Sequence, residues 1–332
     1  MQIIKPDYYD IFRCLASACP DSCCKEWAVQ VDKESAQRYL AIPGQLGIDL
    51  RSVMVEEDGD TILALTPDKR CPMWQEDGLC RIQAQMGEDY LCHTCKQFPR
   101  LRHDYGDFVE LGLELSCPEA ARLILEGSFS MVTTHIPGGE EPGYDQEAMA
   151  ILRRTRSEVL AFLNRGEFSI SKTLAVLLIY GYAAQEELDG GEPACLESDA
   201  MLRQAASIAT PGNINQILDF YRSLEILTPQ WQERLENPNS APWDEKIRHL
   251  ARYFINRYWL QAVSDYDLVG RVKLVILSCL VIKSLGGDLA QTAQLYSKEI
   301  ENDADNVDAI LDGAYASTAL TDISLLGLLL ED

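Results

Sequence analysis

From about residue 144 onward, apolar positions recur with helical spacing. Leu174, Leu177, Leu178 and Tyr182 share one face, and Ala251, Phe254, Ile255 and Tyr258 share another. Such stripes are the core faces of packed helices. The periodic segments run over about 145–165, 169–188, 198–209, 213–227, 244–262, 266–286, 288–302 and 306–330. DGGEP at 189–193, TPG at 210–212 and ENPNSAP at 236–242 break them. Before residue 130 the pattern is mixed. Trp27–Asp32 alternates like a short strand, and Asp32 is placed to cap a helix beginning KESAQRYL. Ser52–Val55 and Ile62–Leu65 flank an Asp58–Gly59 turn and predict a hairpin. Phe108–Leu115 alternates over eight residues, as a strand does. Pro118 opens a helix, PEAARLILEG, that Gly127 closes. The loop IPGGEEPG, 136–143, is the expected boundary. The predicted architecture is mostly α: an N-terminal cysteine-rich α+β module over residues 1–135, followed by an all-helical domain over 144–332.

Charge narrows the partners. The 332 residues carry a formal net charge of −23. Such a surface repels nucleic acid and anionic membranes and attracts basic partners, although acidity alone also serves solubility. The longest apolar patches, Leu174–Ala184 and Val272–Ile282, fall short of the roughly 18 residues that a membrane span needs. MQIIKPDYYDIF lacks the apolar stretch and cleavage site of a secretory signal. A cytoplasmic protein is expected, with neither nucleic acid nor membrane as partner. In that compartment thiols stay reduced, and clustered cysteines are more often metal ligands or catalysts than disulfides.

Nine of the eleven cysteines precede residue 118. Cys195 and Cys279, on apolar helical patterns, read as core residues. The others are spaced Cys14-x4-Cys19-x3-Cys23-Cys24, then Cys71-x8-Cys80-x11-Cys92-x2-Cys95, then Cys117. Prolines follow Cys19, Cys71 and Cys117 and stiffen the chain beside them. Thiolates are soft ligands that suit zinc or iron–sulfur iron, and this density points to metal rather than packing. The spacing leaves both metals open. Cys92–Cys95 is the single CxxC, so paired zinc knuckles are missing, and no common ferredoxin spacing is present. Cys19 and Cys23 begin a CxxxCxxC pattern, but residue 26 is Glu.

Other motifs are weaker. His93 and His103 flank the cysteines, Tyr8, Tyr9 and Tyr105 are candidate channel aromatics, and Arg100 and Arg102 are candidate counter-charges. Trp27 follows the CC pair and suits a shield against water. For each of these, ordinary packing or a solvated surface is the competing reading. No G-x-G occurs, so the chain lacks a Rossmann-type donor fingerprint. Gly138–Gly139, Gly190–Gly191 and Gly286–Gly287 lie between helical patterns. No Ser–His–Asp order, HExxH or P-loop is present.

CPDSCCKEW, CPMWQEDGLCRIQAQMGEDYLCHTCKQFPR and LSCPEAAR, with the opening PDYYDIFRC, resemble the flagellin lysine-N-methylases. Their cysteine-rich module is similar to a zinc- or iron-chelating domain family. The resemblance covers residues 6 to about 125. It implies an early ligand group of Cys14, Cys19, Cys23 and Cys24, a later one of Cys71, Cys80 and Cys95, and Cys117 as the eighth. Cys92 falls outside the pattern and is set aside as a spectator. Glu26 stands where that pattern has Gly, and Met73–Trp74 where an aromatic–Leu pair is usual. The resemblance further implies methyl transfer from S-adenosylmethionine to lysine side chains of flagellin. It implies an iron–sulfur cluster of the 4Fe–4S kind, with zinc as the alternative. Four thiolates suffice for one cluster, and eight allow two sites. The adjacent Cys23 and Cys24 are expected to point apart. The rival function is a non-catalytic metal-binding scaffold or metal-delivery protein. The catalytic base and the donor-binding residues carry no signature.

Overall fold

The computed structural model describes residues 1–57, 59–127 and 130–331; Asp58 of the expected hairpin turn lies outside them. In chain order the elements are β1 (Gln2–Pro6), β2 (Val29–Gln30), α1 (Lys33–Ala41), α2 (Gly44–Val53), β3 (Met54–Glu57), β4 (Asp60–Leu63), α3 (Arg81–Met86), α4 (His93–Gln97), β5 (Arg100–Asp104), β6 (Phe108–Leu113), α5 (Pro118–Glu126) and β7 (Met131–His135). The helices α6 (Gln146–Arg165), α7 (Ile170–Leu188), α8 (Ser198–Ile208), α9 (Ile214–Arg222), α10 (Pro229–Glu236), α11 (Ile247–Tyr258), α12 (Leu268–Leu285), α13 (Leu289–Tyr296), α14 (Ala304–Ala316) and α15 (Asp322–Leu330) follow. The fold is mostly helical with an N-terminal α+β region, as the periodicity predicts.

The helical part is organised around α12. Its Val, Leu and Ile residues surround the axis, and every residue but Lys283 is buried. A helix apolar on all sides is stable only inside other elements. Helices α7, α11, α13 and α14 pack around it. At Gly181 of α7 the backbones approach so closely that a Cβ would meet Val272 side-chain atoms at 2.9–3.2 Å. The buried charges of α12 find partners: Lys273 bonds the Ala314 carbonyl and pairs with Asp322 at 3.0 Å, and Arg271 pairs with Asp265 at 2.8 Å. Many helix starts are capped, that of α1 by Asp32 as the sequence suggests. Asp32, Asp145, Ser169, Asp267 and Asp303 each accept from a backbone N–H of the first turn.

The larger sheet runs β5-β6-β1-β7, with β1 parallel to β6 and the other pairs antiparallel. Its central strand β6 buries Phe108, Val109 and Glu110. Glu110 accepts from Arg156 of α6 at 2.8 and 2.5 Å, with both side chains about nine-tenths buried. One hydrophobic cluster joins Ile4, Tyr8, Phe12, Phe108, Leu113 and the inner face of α5 to the helices from α6 to α15. A smaller one, with Val29, Tyr39, Leu50, Leu63, Met73, Ile82 and Leu91, underlies the second sheet, β2-β4-β3.

Several boundaries differ from expectation. The 27–32 strand shrinks to Val29–Gln30, and Ser52 and Val53 end α2 rather than beginning β3. The 306–330 stretch is two helices, because Ser317 turns to an extended conformation and its hydroxyl caps the next turn. Helix α10 lies where no helix was expected, although Thr228 caps it and Pro229 occupies its first turn. Cys195 is not core: it sits exposed in the loop between α7 and α8, where helical periodicity does not apply, whereas Cys279 is fully buried. Among the described residues no helix is long and apolar enough to cross a membrane.

Two measurements probe this core. Glu110→Ala strands the buried Arg156 guanidinium and is expected to cost about 3–5 kcal/mol, read from the shift in the urea midpoint. Glu299, in the wide turn Ser297–Glu301, accepts from Leu227 N–H at 2.8 Å, and burial raises its carboxyl from the ordinary 4.5 to about 7. The folded state therefore holds a proton that the unfolded state releases. Stability is expected to fall as pH rises from 4.5 through about 7, with Glu299→Gln flattening that slope in thermal unfolding.

Candidate metal centre

Residues 14–27 form an irregular loop containing one short turn, Ala16–Ala18. Such a loop needs partners elsewhere. The 66–71 segment supplies one set: Glu26 N–H donates to Lys69 carbonyl at 2.7 Å, and Cys71 N–H donates to Cys24 carbonyl at 2.7 Å. The helical body supplies the other. Lys298 Nζ lies 2.9 Å from Asp21 and 2.8 Å from Glu26 and is itself largely buried. Gln294 of α13 donates to Asp21 at 2.9 Å and to the Ser116 carbonyl at 2.8 Å, tying the early cysteine loop to the turn that carries Cys117.

The later cysteines sit at helix starts. Cys80, Cys92 and Cys117 immediately precede α3, α4 and α5, and Cys95 lies within α4. None of the three forms a capping hydrogen bond, but backbone N–H groups nearby favour the charged sulfur: those of Gln83 and Ile82 at Cys80, Ala120 and Glu119 at Cys117, Cys95 at Cys92 and Met73 at Cys71. Donors in these positions favour a thiolate and tune a metal held by it.

These segments enclose a chamber of about 490 Å³. Cys14, Cys19, Cys23, Cys24, Cys80, Cys95 and Cys117 line it. Thus seven of the eight candidate ligands face one space, and the eighth, Cys71, is buried behind Cys24. Cys23 and Cys24 do not point apart as expected: both line the chamber and their thiols affect each other's ionisation. Cys92, set aside in the sequence, is buried beside Cys95 and does not line the chamber.

Burial and mutual repulsion govern the ionisation of these thiols. Burial pushes Cys71 up to about 11 and Cys117 up to about 12. Within the Cys23–Cys24 and Cys92–Cys95 pairs, the partner's S–H holds Cys23 and Cys92 down at about 7, while Cys24 and Cys95 are driven well up. Each further thiolate is opposed by its neighbours, so full ionisation needs a bound positive charge. Among the described residues no three Cys, His, Asp or Glu side chains already meet at one metal position. The sulfurs ring a chamber instead. In donor type the set suits a soft metal such as iron or zinc, but to hold one the sulfurs must draw closer together than they stand here.

The other candidates scatter. Trp27 forms part of the chamber wall, 6.3 Å from Phe98, and its indole N–H donates to the Cys23 carbonyl at 3.0 Å. Arg100 lines the chamber with its guanidinium over Phe12, whereas Arg102 pairs with Asp104 on the surface. His93 begins α4, its backbone N–H bonded to Asp32 at 2.8 Å, and does not line the chamber. His103 and Tyr8 line a separate water-sized cavity of about 50 Å³ beside Glu110. Tyr105 stacks on Phe108, and Tyr9 lies under Lys5. A second recess of about 370 Å³ shares Trp27, Phe98 and Arg100 with the chamber and adds Glu114 and Glu301. No motif marked those two carboxylates, because residues 114 and 301 meet only in the fold.

Fold and site together define a cysteine-rich protein whose α+β region holds a candidate metal chamber against a helical body. Over 165 residues the chain is 32% identical to the flagellar biosynthetic protein FliU of Salmonella muenchen, matching 46% of this chain and 89% of that protein. It belongs to the FliU family. It is also 33% identical to the lysine-N-methylases of Salmonella typhimurium, over 142 residues, and Salmonella choleraesuis, over 140, in each case 39% of this chain and 34% of the relative. The match thus spans about a third of those two curated relatives. No family model matches the chain, its cysteine-rich region included, and no solved structure matches it.

Thiol protection tests the chamber directly. In metal-free protein, the exposed Cys14, Cys23 and Cys195 are expected to alkylate fastest, as read by peptide mass spectrometry. Added zinc should then protect Cys14 with the other chamber thiols and leave Cys195 unprotected.

Proposed function

We propose that this chain is a protein-lysine N-methyltransferase that acts on flagellin, uses S-adenosylmethionine and carries a cysteine-ligated iron–sulfur cluster. The observation that carries the reading is the convergence of cysteines from four separate segments on one chamber, with Cys80 and Cys117 at helix starts. Kinship with FliU and with lysine-N-methylases supplies the substrate class.

The chemistry is displacement at a sulfonium methyl by a lysine amine. The carbon–sulfur bond breaks as the carbon–nitrogen bond forms, S-adenosylhomocysteine leaves, and the amine loses one proton. A free lysine amine has a pKa of about 10.4, so the site must desolvate it and accept that proton. Cys14, Cys19, Cys23, Cys24, Cys80, Cys95 and Cys117 are the chamber residues available to hold a cluster, with Cys71 and Cys92 behind them. A cluster bound there would supply an iron position at which the donor's polar end can attach. Trp27 and Phe98 close one side and limit water entry. The net charge of −23 favours encounter with a basic segment of the substrate.

The test is purification without air, with iron, sulfide and zinc analysis and a visible spectrum, followed by incubation with flagellin and methyl-labelled donor. Iron matched by sulfide, bleaching by dithionite and label on flagellin lysines are expected. Ser at Cys80, Cys95 or Cys117 should lower cluster content and cut methylation at least about tenfold. Zinc without sulfide, failed reconstitution and no label would replace this reading with the metal-binding scaffold.

A further inference from the structure

We infer that the recess walled by Trp27, Phe98, Glu114 and Glu301 binds the alkylammonium end of the substrate lysine. This deepens the methyl-transfer reading and rests on it. Three observations lead here. The recess shares Trp27, Phe98 and Arg100 with the cysteine chamber, so a side chain seated in it lies against the wall of the candidate metal site. Its volume of about 370 Å³ falls within the range of small-ligand pockets. Its aromatic walls, 6.3 Å apart and tilted by 37°, suit both an aliphatic stem and a cation.

The charges set the choice of ligand. Arg257 is committed to Glu301, at 2.8 Å, and that carboxylate also accepts from Tyr253 at 3.1 Å and Tyr258 at 2.9 Å. Glu114 is left under-neutralised. Arg257 is 3.9 Å from it, and its hydrogen-bond donor is the Ser116 hydroxyl at 3.3 Å. Burial raises its pKa in consequence, and a cation entering the recess would relieve that cost. Arg100 also lines the recess, but its guanidinium lies over the Phe12 ring, and it makes no ion pair with Glu114. A neutral side chain of the same length would gain the aromatic walls but not the carboxylate.

The experiment uses the full chain with its five tryptophans labelled as 5-fluorotryptophan. Trp27→Phe assigns the Trp27 fluorine resonance. Nα-acetyl-lysine methylamide is then titrated beside the norleucine analogue, which lacks the ammonium. The Trp27 resonance is expected to move saturably with the lysine compound and not with norleucine, and Glu114→Gln should weaken that response at least fivefold. No movement up to about 10 mM, or equal movement with norleucine, would overturn the inference on the wild-type protein alone, whatever the variant's folding. Movement with S-adenosylmethionine but not lysine would also overturn it, making the recess a donor site. A positive lysine titration without label on flagellin keeps the recess and sinks the methyltransferase reading. Label on flagellin with an unmoved Trp27 does the reverse.

Discussion

The loop that carries the first four cysteines is held by one buried cation. Lys298 reaches from the turn after α13 and bridges Asp21 and Glu26, one on each side of the Cys23–Cys24 pair. Lys25 completes the group, 2.7 Å from Asp21. Burial alone would raise the Asp21 carboxyl, but Lys298 and Lys25 hold it down at about 2. Glu26 is in the left-handed region, with φ of 75°, a conformation that costs a non-glycine residue energy and persists because its backbone and side chain are both tethered. This explains how a loop without a ladder of its own can present Cys19, Cys23 and Cys24 to a common space. It also makes the helical body part of the site.

The chamber combines two opposing effects. Helix starts and backbone N–H groups favour thiolates at Cys80, Cys92 and Cys117. Burial and mutual repulsion resist them, most strongly at Cys24 and Cys95. The Cys23–Cys24 and Cys92–Cys95 pairs share protons as the compromise. A divalent ion or cluster bound there, as proposed, would resolve the conflict by supplying positive charge. On the far side of Trp27 and Phe98 the same principle recurs with carboxylates, where two acids, Glu114 and Glu301, compete for Arg257.

The elements were legible wherever their cause is local. Asp32 caps the helix that its position announces, the helices expected from about 145 and 169 start there, and Pro118 starts α5. Strands β1 and β7 were not, because their pairing is non-local: Gln2 meets Phe108 on one side and His135 on the other. Strand β5 forms a local hairpin with β6, but none of its residues is buried, so it carries no apolar alternation. The residues of β7 are exposed throughout and carry no periodic signal. Helix α10 had its Thr–Pro start in plain view but only eight residues of pattern behind it.

By itself the sequence determined that residues 14–117 gather thiols and that residues after about 144 form helices. Both follow from residue type and spacing, which act over a few positions. It also held the CxxC that marks Cys92, although that residue's burial beside Cys95 is a tertiary fact. Only the tertiary structure decided that Cys14 and Cys117 face one chamber and that Lys298 clamps its loop. It alone placed Glu114 and Glu301 across its wall. Those choices belong to burial and charge pairing between segments more than 90 residues apart, a distance over which no local pattern survives.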